Sequence, residues 1–137
     1  MDHTTMLVDL LKLHFGWHLA RVTCLSYFIV ALCKVKTVNL AELATAFPGT
    51  ADVESHYKRL QRFLKQVDLP SPVVAQFVAA FLPYDAYTLS LDRTNWMFGC
   101  FSMNFLVLSI VHDGIALPVF WAFLRKKGNS NTQERIK

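Results

Sequence analysis

Asp92 is the residue of this sequence whose type and setting best suit chemistry. It follows an alternating run, with Tyr87, Leu89 and Leu91 on one side and Thr88, Ser90 and Asp92 on the other. A carboxylate there is either a ligand for a hard divalent cation or an aspartate that ends a strand and starts a turn. Its neighbour Arg93 suits either a contact to a phosphate or an exposed turn arginine. Four further cations, Lys58, Arg59, Arg62 and Lys65, crowd one short stretch. They either lie against nucleic-acid phosphates or form a solvated charged face. Arg125, Lys126 and Lys127 have the same two readings: they face DNA, or they keep a strand end soluble.

Other candidates have weaker chemistry. His14 and His18 share a helical spacing, but HFGWH lacks the glutamate of the zinc-protease pattern and a third ligand, so they read as ordinary amphipathic histidines. Asp113 precedes Gly114 in a tight-turn dipeptide, where Asp is chosen for backbone geometry. Glu134 follows Ser130-Asn-Thr-Gln, where a Glu serves a helix cap or the helix dipole. Cys24, Cys33 and Cys100 have no CxxC spacing and an odd count, which argues against a disulfide framework and for a reducing cytoplasm. No Gly-rich phosphate loop, Ser-His-Asp set or Cys-His pair is present. The aromatics fall at helix-core or strand positions and read as packing rather than as base-stacking platforms.

The elements that carry these residues follow from periodicity. Residues 4–14 read as a helix through Met6, Leu7, Leu10, Leu11 and Leu13; residues 18–35 are apolar nearly all round and predict a buried helix. Asn39 caps a short helix that Pro48-Gly49 ends. Residues 52–66 predict an amphipathic helix, with Tyr57, Leu60, Phe63, Leu64 and Val67 inward and the four cations on the other side. Ser71-Pro72 reads as an N-cap and first helical position, continued by Val73, Val74, Phe77, Val78 and Phe81 and stopped by Pro83. Near residue 83 the period changes to two. Apolar runs at 101–111 and 115–124 joined by Asp113-Gly114 predict a hairpin. Those runs are apolar on both faces, as in central strands of a sheet covered on both sides. Few residues follow 124 to supply that cover, so the β domain reads as incomplete. The fold class is α+β: a helical domain at 1–83, a candidate for DNA binding through its basic helix, and the start of a β domain at 84–137.

Composition narrows the class. The chain has 137 residues, 53% of them hydrophobic, which suits a packed domain rather than disorder. The formal net charge of +4 fits nucleic acid or an acidic membrane surface as well as an ordinary domain. The first residues lack a basic n-region and a small-residue cleavage site, which excludes a secretory signal. Val22 to Val35 is too short to span a membrane, and 101–124 is interrupted by Asn104, His112-Asp113-Gly114 and Pro118, so no membrane partner is expected.

Leu91-Asp-Arg-Thr-Asn-Trp-Met-Phe-Gly99 resembles the LDRTxWxxG signature around the first catalytic aspartate of bacterial insertion-sequence DDE transposases. Met103-Asn-Phe-Leu106, Gly114-Ile-Ala-Leu-Pro-Val-Phe-Trp121 and Lys127-Gly-Asn-Ser-Asn-Thr-Gln-Glu-Arg135 look like the blocks that follow it, while Thr37-Val-Asn-Leu40 and Ser55-His-Tyr-Lys-Arg-Leu-Gln-Arg-Phe63 resemble the upstream helical region. The resemblance runs through residues 37–137 in order. It implies an RNase H-like domain opening with an antiparallel meander. It also implies DNA transposition by two-metal strand cleavage and transfer, with Mg2+ or Mn2+ held by two Asp and one Glu. Asp92 matches the first Asp; nothing here matches the second Asp or the Glu, so the resemblance implies a truncated, inactive N-terminal portion. The implied partners are transposon-end DNA and, in the complete family members, further copies of the protein. The alternative function is a non-catalytic DNA-binding fragment that occupies transposon ends and inhibits transposition.

Overall fold

The computed structural model describes residues 3–82 and 86–124, apart from the side chains of His3 and Phe98. The sites expected at Arg125, Lys126 and Lys127, Pro83 as a helix stop, and the segment around Glu134 lie outside the described residues. Among the described residues, five helices precede a three-stranded antiparallel sheet, the α+β class expected. The chain divides into two compact units, Met1–Leu69 and Pro70–Lys137. That division falls before the fifth helix, earlier than the change of period near residue 83.

The first unit holds α1 (His3–His14), α2 (Leu19–Val35), α3 (Leu40–Ala46) and α4 (Val53–Gln66). Its core is Leu11, Val22, Leu43 and Leu60, each at or below 1% exposed, with Phe15, Ala31, Ala44, Phe47 and Phe63 around them. The sequence expectation for α2 was burial nearly all round; only Val22, Cys24, Leu25, Ser26 and Ala31 are buried, and Leu19, Cys33 and Lys34 are exposed. A helix packed on one side by α1, α3 and α4 cannot hide its whole circumference. Ser26 on α2 is buried because its hydroxyl donates to the Val22 carbonyl at 3.0 Å. α2 ends where Lys36 adopts a left-handed φ of 55°, its N–H returning to Leu32 O.

Asn39 caps α3 as expected, its Oδ1 accepting from Ala41 N at 3.0 Å. α4 has a cap that the spacing did not single out: Asp52 Oδ1 accepts from Ser55 N at 2.6 Å. Hydrogen bonds from the backbone N–H and the side chain of Ser55 favour the ionised form and hold the Asp52 carboxyl below its ordinary range.

The second unit holds α5 (Ser71–Ala79) and strands β1 (Thr88–Phe98), β2 (Phe101–His112) and β3 (Ile115–Leu124), in the order β1-β2-β3. The residue at the N-cap of α5 is Pro70, so Ser71 is already helical and makes no capping bond. Tyr87 donates its hydroxyl to the Leu82 carbonyl at 3.3 Å and fastens the exit of α5 to the start of the sheet. Leu82, Ile110 and Val119 form a small core, with Ala75, Val78, Leu108 and Leu117 against it. α5 therefore belongs with the sheet: its apolar residues meet β3.

Both hairpins turn in two residues. At Asp113-Gly114 both φ angles are positive, 48° and 77°, the signature of a type I′ turn. At Gly99-Cys100 only Gly99 is positive, at 58°, matching type II′. The register slips between Leu108 and Ser109, where Phe120 and Pro118 face them and Val119 is the extra residue. This bulge explains how β3 tolerates a proline, which has no N–H for the ladder. β2 is central, as an apolar strand should be; β3 is at an edge of the described sheet and mostly exposed, contrary to the central place its composition suggested.

Candidate functional sites

Strand alternation and register divide the sheet residues between two faces. One face carries Leu89, Leu91, Arg93 and Asn95 of β1 beside Ile110, Leu108, Leu106 and Asn104 of β2; α5 packs on its Ile110 end. The opposite face carries Ser90, Asp92, Thr94 and Trp96 beside Ser109, Val107, Phe105 and Met103. Trp121 and Phe123 of β3 extend the rows of Val107 and Phe105.

Asp92 is thus in the interior of an 11-residue strand, opposite Val107, and not at a strand end. It is exposed, and its Oδ1 accepts from the N–H of Arg93 at 2.7 Å. Its surroundings on that face are hydroxyls and apolar side chains: Ser90 and Thr94 along the strand, Val107 and then Trp121 across it. A divalent cation wants six or more oxygen ligands for calcium, or a near-octahedral set for magnesium. Among the described residues no group of three His, Cys, Asp or Glu could hold a metal ion. One exposed carboxylate and two hydroxyls do not fit a pair of such ions.

Arg93 is on the other face, turned away from Asp92. Its Nη2 donates to Asn95 Oδ1 and to Asn104 Oδ1, both at 3.2 Å. Asn104 is 1% exposed on the central strand, so this cluster is part of the packed side of the sheet. A half-buried arginine inside a strand, held by two neighbouring amides, is not the exposed turn arginine of one of the two sequence readings.

The α4 cations separate into two groups. Lys58, Arg62 and Lys65 are exposed and stand at i, i+4 and i+7, one stripe of a helix. With Gln61 they line a shallow open concavity. Lys58 Nζ is 3.2 Å from Glu54 Oε1, a surface i,i+4 pair. Arg62 Nε donates to the Lys58 carbonyl at 3.4 Å, which bends its side chain back along the helix. Arg59 is not in this row. It is half-buried, with its guanidinium carbon 5.6 Å from the Phe47 ring centre and 5.9 Å from that of Tyr27.

The inward side of α4 also differs from its expected list. Leu60 and Phe63 are buried, but Leu64 is half-exposed, and His56 takes an inward place at 5% exposure with its ring 5.2 Å from Phe47. A histidine is not scored as apolar, so the spacing alone missed it. Six residues, Phe47 to Asp52, join α3 to α4, more than the three or four of a helix-turn-helix. The first turn of α4 carries Glu54, and its cations follow further along. Base reading by the helix N-terminus is disfavoured by that layout, whereas phosphate contact along the side of α4 is not.

His14 ends α1, and His18 precedes α2. No single described helix is long and apolar enough to cross a membrane. The chain matches no family model, no curated protein and no solved structure.

Proposed function

We propose that this protein acts in DNA transposition as an insertion-sequence transposase chain, engaging DNA through the exposed row Lys58, Arg62 and Lys65 of α4. The observation that carries the DNA contact is this row: three cations on one stripe, about 10 Å from first to last at 1.5 Å per residue, opposite a buried apolar side. A polyanion laid along the helix meets all three at once. The transposase reading rests on the LDRTxWxxG-like segment, whose Asp92 stands in a β-meander as that resemblance implies.

The donor set around Asp92 favours a non-catalytic version of this role, in which the chain occupies transposon ends and thereby inhibits transposition. Among the described residues, those beside Asp92 do not fit a pair of metal ions.

Fluorescence anisotropy of the full chain on a labelled duplex, measured from 50 to 200 mM salt, tests the contact. Three phosphate contacts predict a slope of log K against log salt of about −2.7. Binding that is absent, or indifferent to salt, refutes it. A duplex carrying terminal inverted repeats that binds no better than random sequence removes the transposon-end assignment while leaving the polyanion contact.

A further inference from the structure

The four cations that the sequence groups on α4 perform two different jobs. Arg59 reaches the inside of the helical unit, where Tyr27 of α2 and Phe47 at the exit of α3 meet edge to face, ring centres 5.6 Å apart at 77°. The guanidinium is within cation–π range of both rings. Phe47 continues to His56, the buried histidine one turn before Arg59 on α4. Buried Cys24 of α2 also interacts with Arg59. Arg59 therefore touches α2 and the α3 exit from its place on α4. A planar guanidinium can lie flat on such rings; an ammonium on a flexible stem cannot reproduce that contact.

We infer that Arg59 is a packing clamp and not a phosphate ligand: it fastens α4 to α2 and to the α3 exit through Tyr27 and Phe47, which leaves Lys58, Arg62 and Lys65 as the outward three-cation row. The DNA-contact half of this inference rests on the function proposed above; the clamp half stands without it. Cys24 supplies an internal reporter. Burial raises its thiol pKa, and the Arg59 charge and hydrogen bond oppose that rise. Cys33 and Cys100 are exposed, so a thiol reagent should label two sites fast and Cys24 slowly.

The test compares Arg59→Met, Arg59→Lys and Arg62→Gln in the full chain by salt-dependent DNA binding, thermal unfolding and thiol labelling. Arg62→Gln should reduce the magnitude of the salt slope by about 0.9 and leave the melting midpoint unchanged. Arg59→Met, read at low temperature where the chain is folded, should keep the wild-type slope. It should also lower the midpoint by about 5 °C or more and speed the slow labelling phase. Arg59→Lys, which keeps the charge, should fail to restore the midpoint. A loss of about 0.9 in slope with Arg59→Met, or a wild-type midpoint and wild-type Cys24 labelling with Arg59→Lys, overturns the inference. A wild-type chain that does not bind DNA refutes the proposed function instead, and midpoint and labelling then still decide the clamp.

Discussion

The helical unit closes its core, though Leu13 and Val38 stay exposed on it, whereas the described part of the sheet unit leaves more of its large apolar side chains in water. In the first unit Leu11, Val22, Leu43 and Leu60 are all but inaccessible. In the second, burial converges on Leu82, Ile110 and Val119 beneath α5, while Trp96 and Phe101 are 65% and 71% exposed. The difference is geometric. Four short helices each have one stripe to hide and find one another. A sheet has two faces, and a nine-residue helix covers a corner of one. Residues on opposite sides of this contrast should respond very differently to the same change.

The sharpest comparison is between two leucine truncations. Leu60→Ala removes a wholly buried side chain and should cost about 3 kcal/mol in urea unfolding, within the range for cavity-forming core substitutions. Leu89→Ala, on the uncovered part of the sheet, should change stability by no more than about 0.5 kcal/mol. Equal effects would mean that the sheet face around Leu89 is covered in solution.

The helical unit should also show two pH limbs. Burial raises the folded-state pKa of Cys24 above the ordinary 9.0. The folded state then holds the proton more tightly, so this contribution is complete below about pH 9 and is lost as pH rises through the folded value. Asp52 behaves oppositely: its carboxyl is lowered by the Ser55 hydrogen bonds, so its contribution is present above the ordinary 3.8 and is lost as pH falls through the folded value. Melting midpoints taken against pH for wild type, Cys24→Ala and Asp52→Asn check the assignment. Cys24→Ala should flatten the alkaline limb and Asp52→Asn the acid one; a limb that persists in its variant has another source.

The smallest effect belongs to Asp92. Asp92→Asn should move the melting midpoint and the DNA affinity hardly at all, by less than about 0.5 kcal/mol, because the side chain is exposed and its neighbours on the face, Ser90, Thr94 and Val107, carry no charge. Isothermal titration with Mg2+ provides the check. Tight binding that vanishes in the variant would show a metal site around Asp92 and reverse the reading of its surroundings.

Local chemistry was legible in the sequence. The Asn39 cap, the Pro48-Gly49 stop, the Asp113-Gly114 turn and the amphipathic character of α4 depend on residues within a few positions of one another, and they stand as expected. What the spacing misread depended on distant partners. It placed Arg59 with Lys58, Arg62 and Lys65 because a charge pattern carries no record of Tyr27 and Phe47. It counted Leu64 inward and passed over His56, because the width of the buried stripe is set by the neighbouring helices. It took Ser71 for a cap by residue type, while the helix begins one residue earlier.

By itself, then, the sequence determined the order of elements, their turns and the presence of one carboxylate and one basic helix, since each of these is a property of short-range backbone and side-chain preference. Only the tertiary structure decided that Asp92 is in the interior of a strand beside Val107, that Arg93 is turned to the opposite face against Asn104, and that Arg59 is drawn inward. Those outcomes depend on strand register and helix packing, and both are settled by which apolar surfaces meet across the fold.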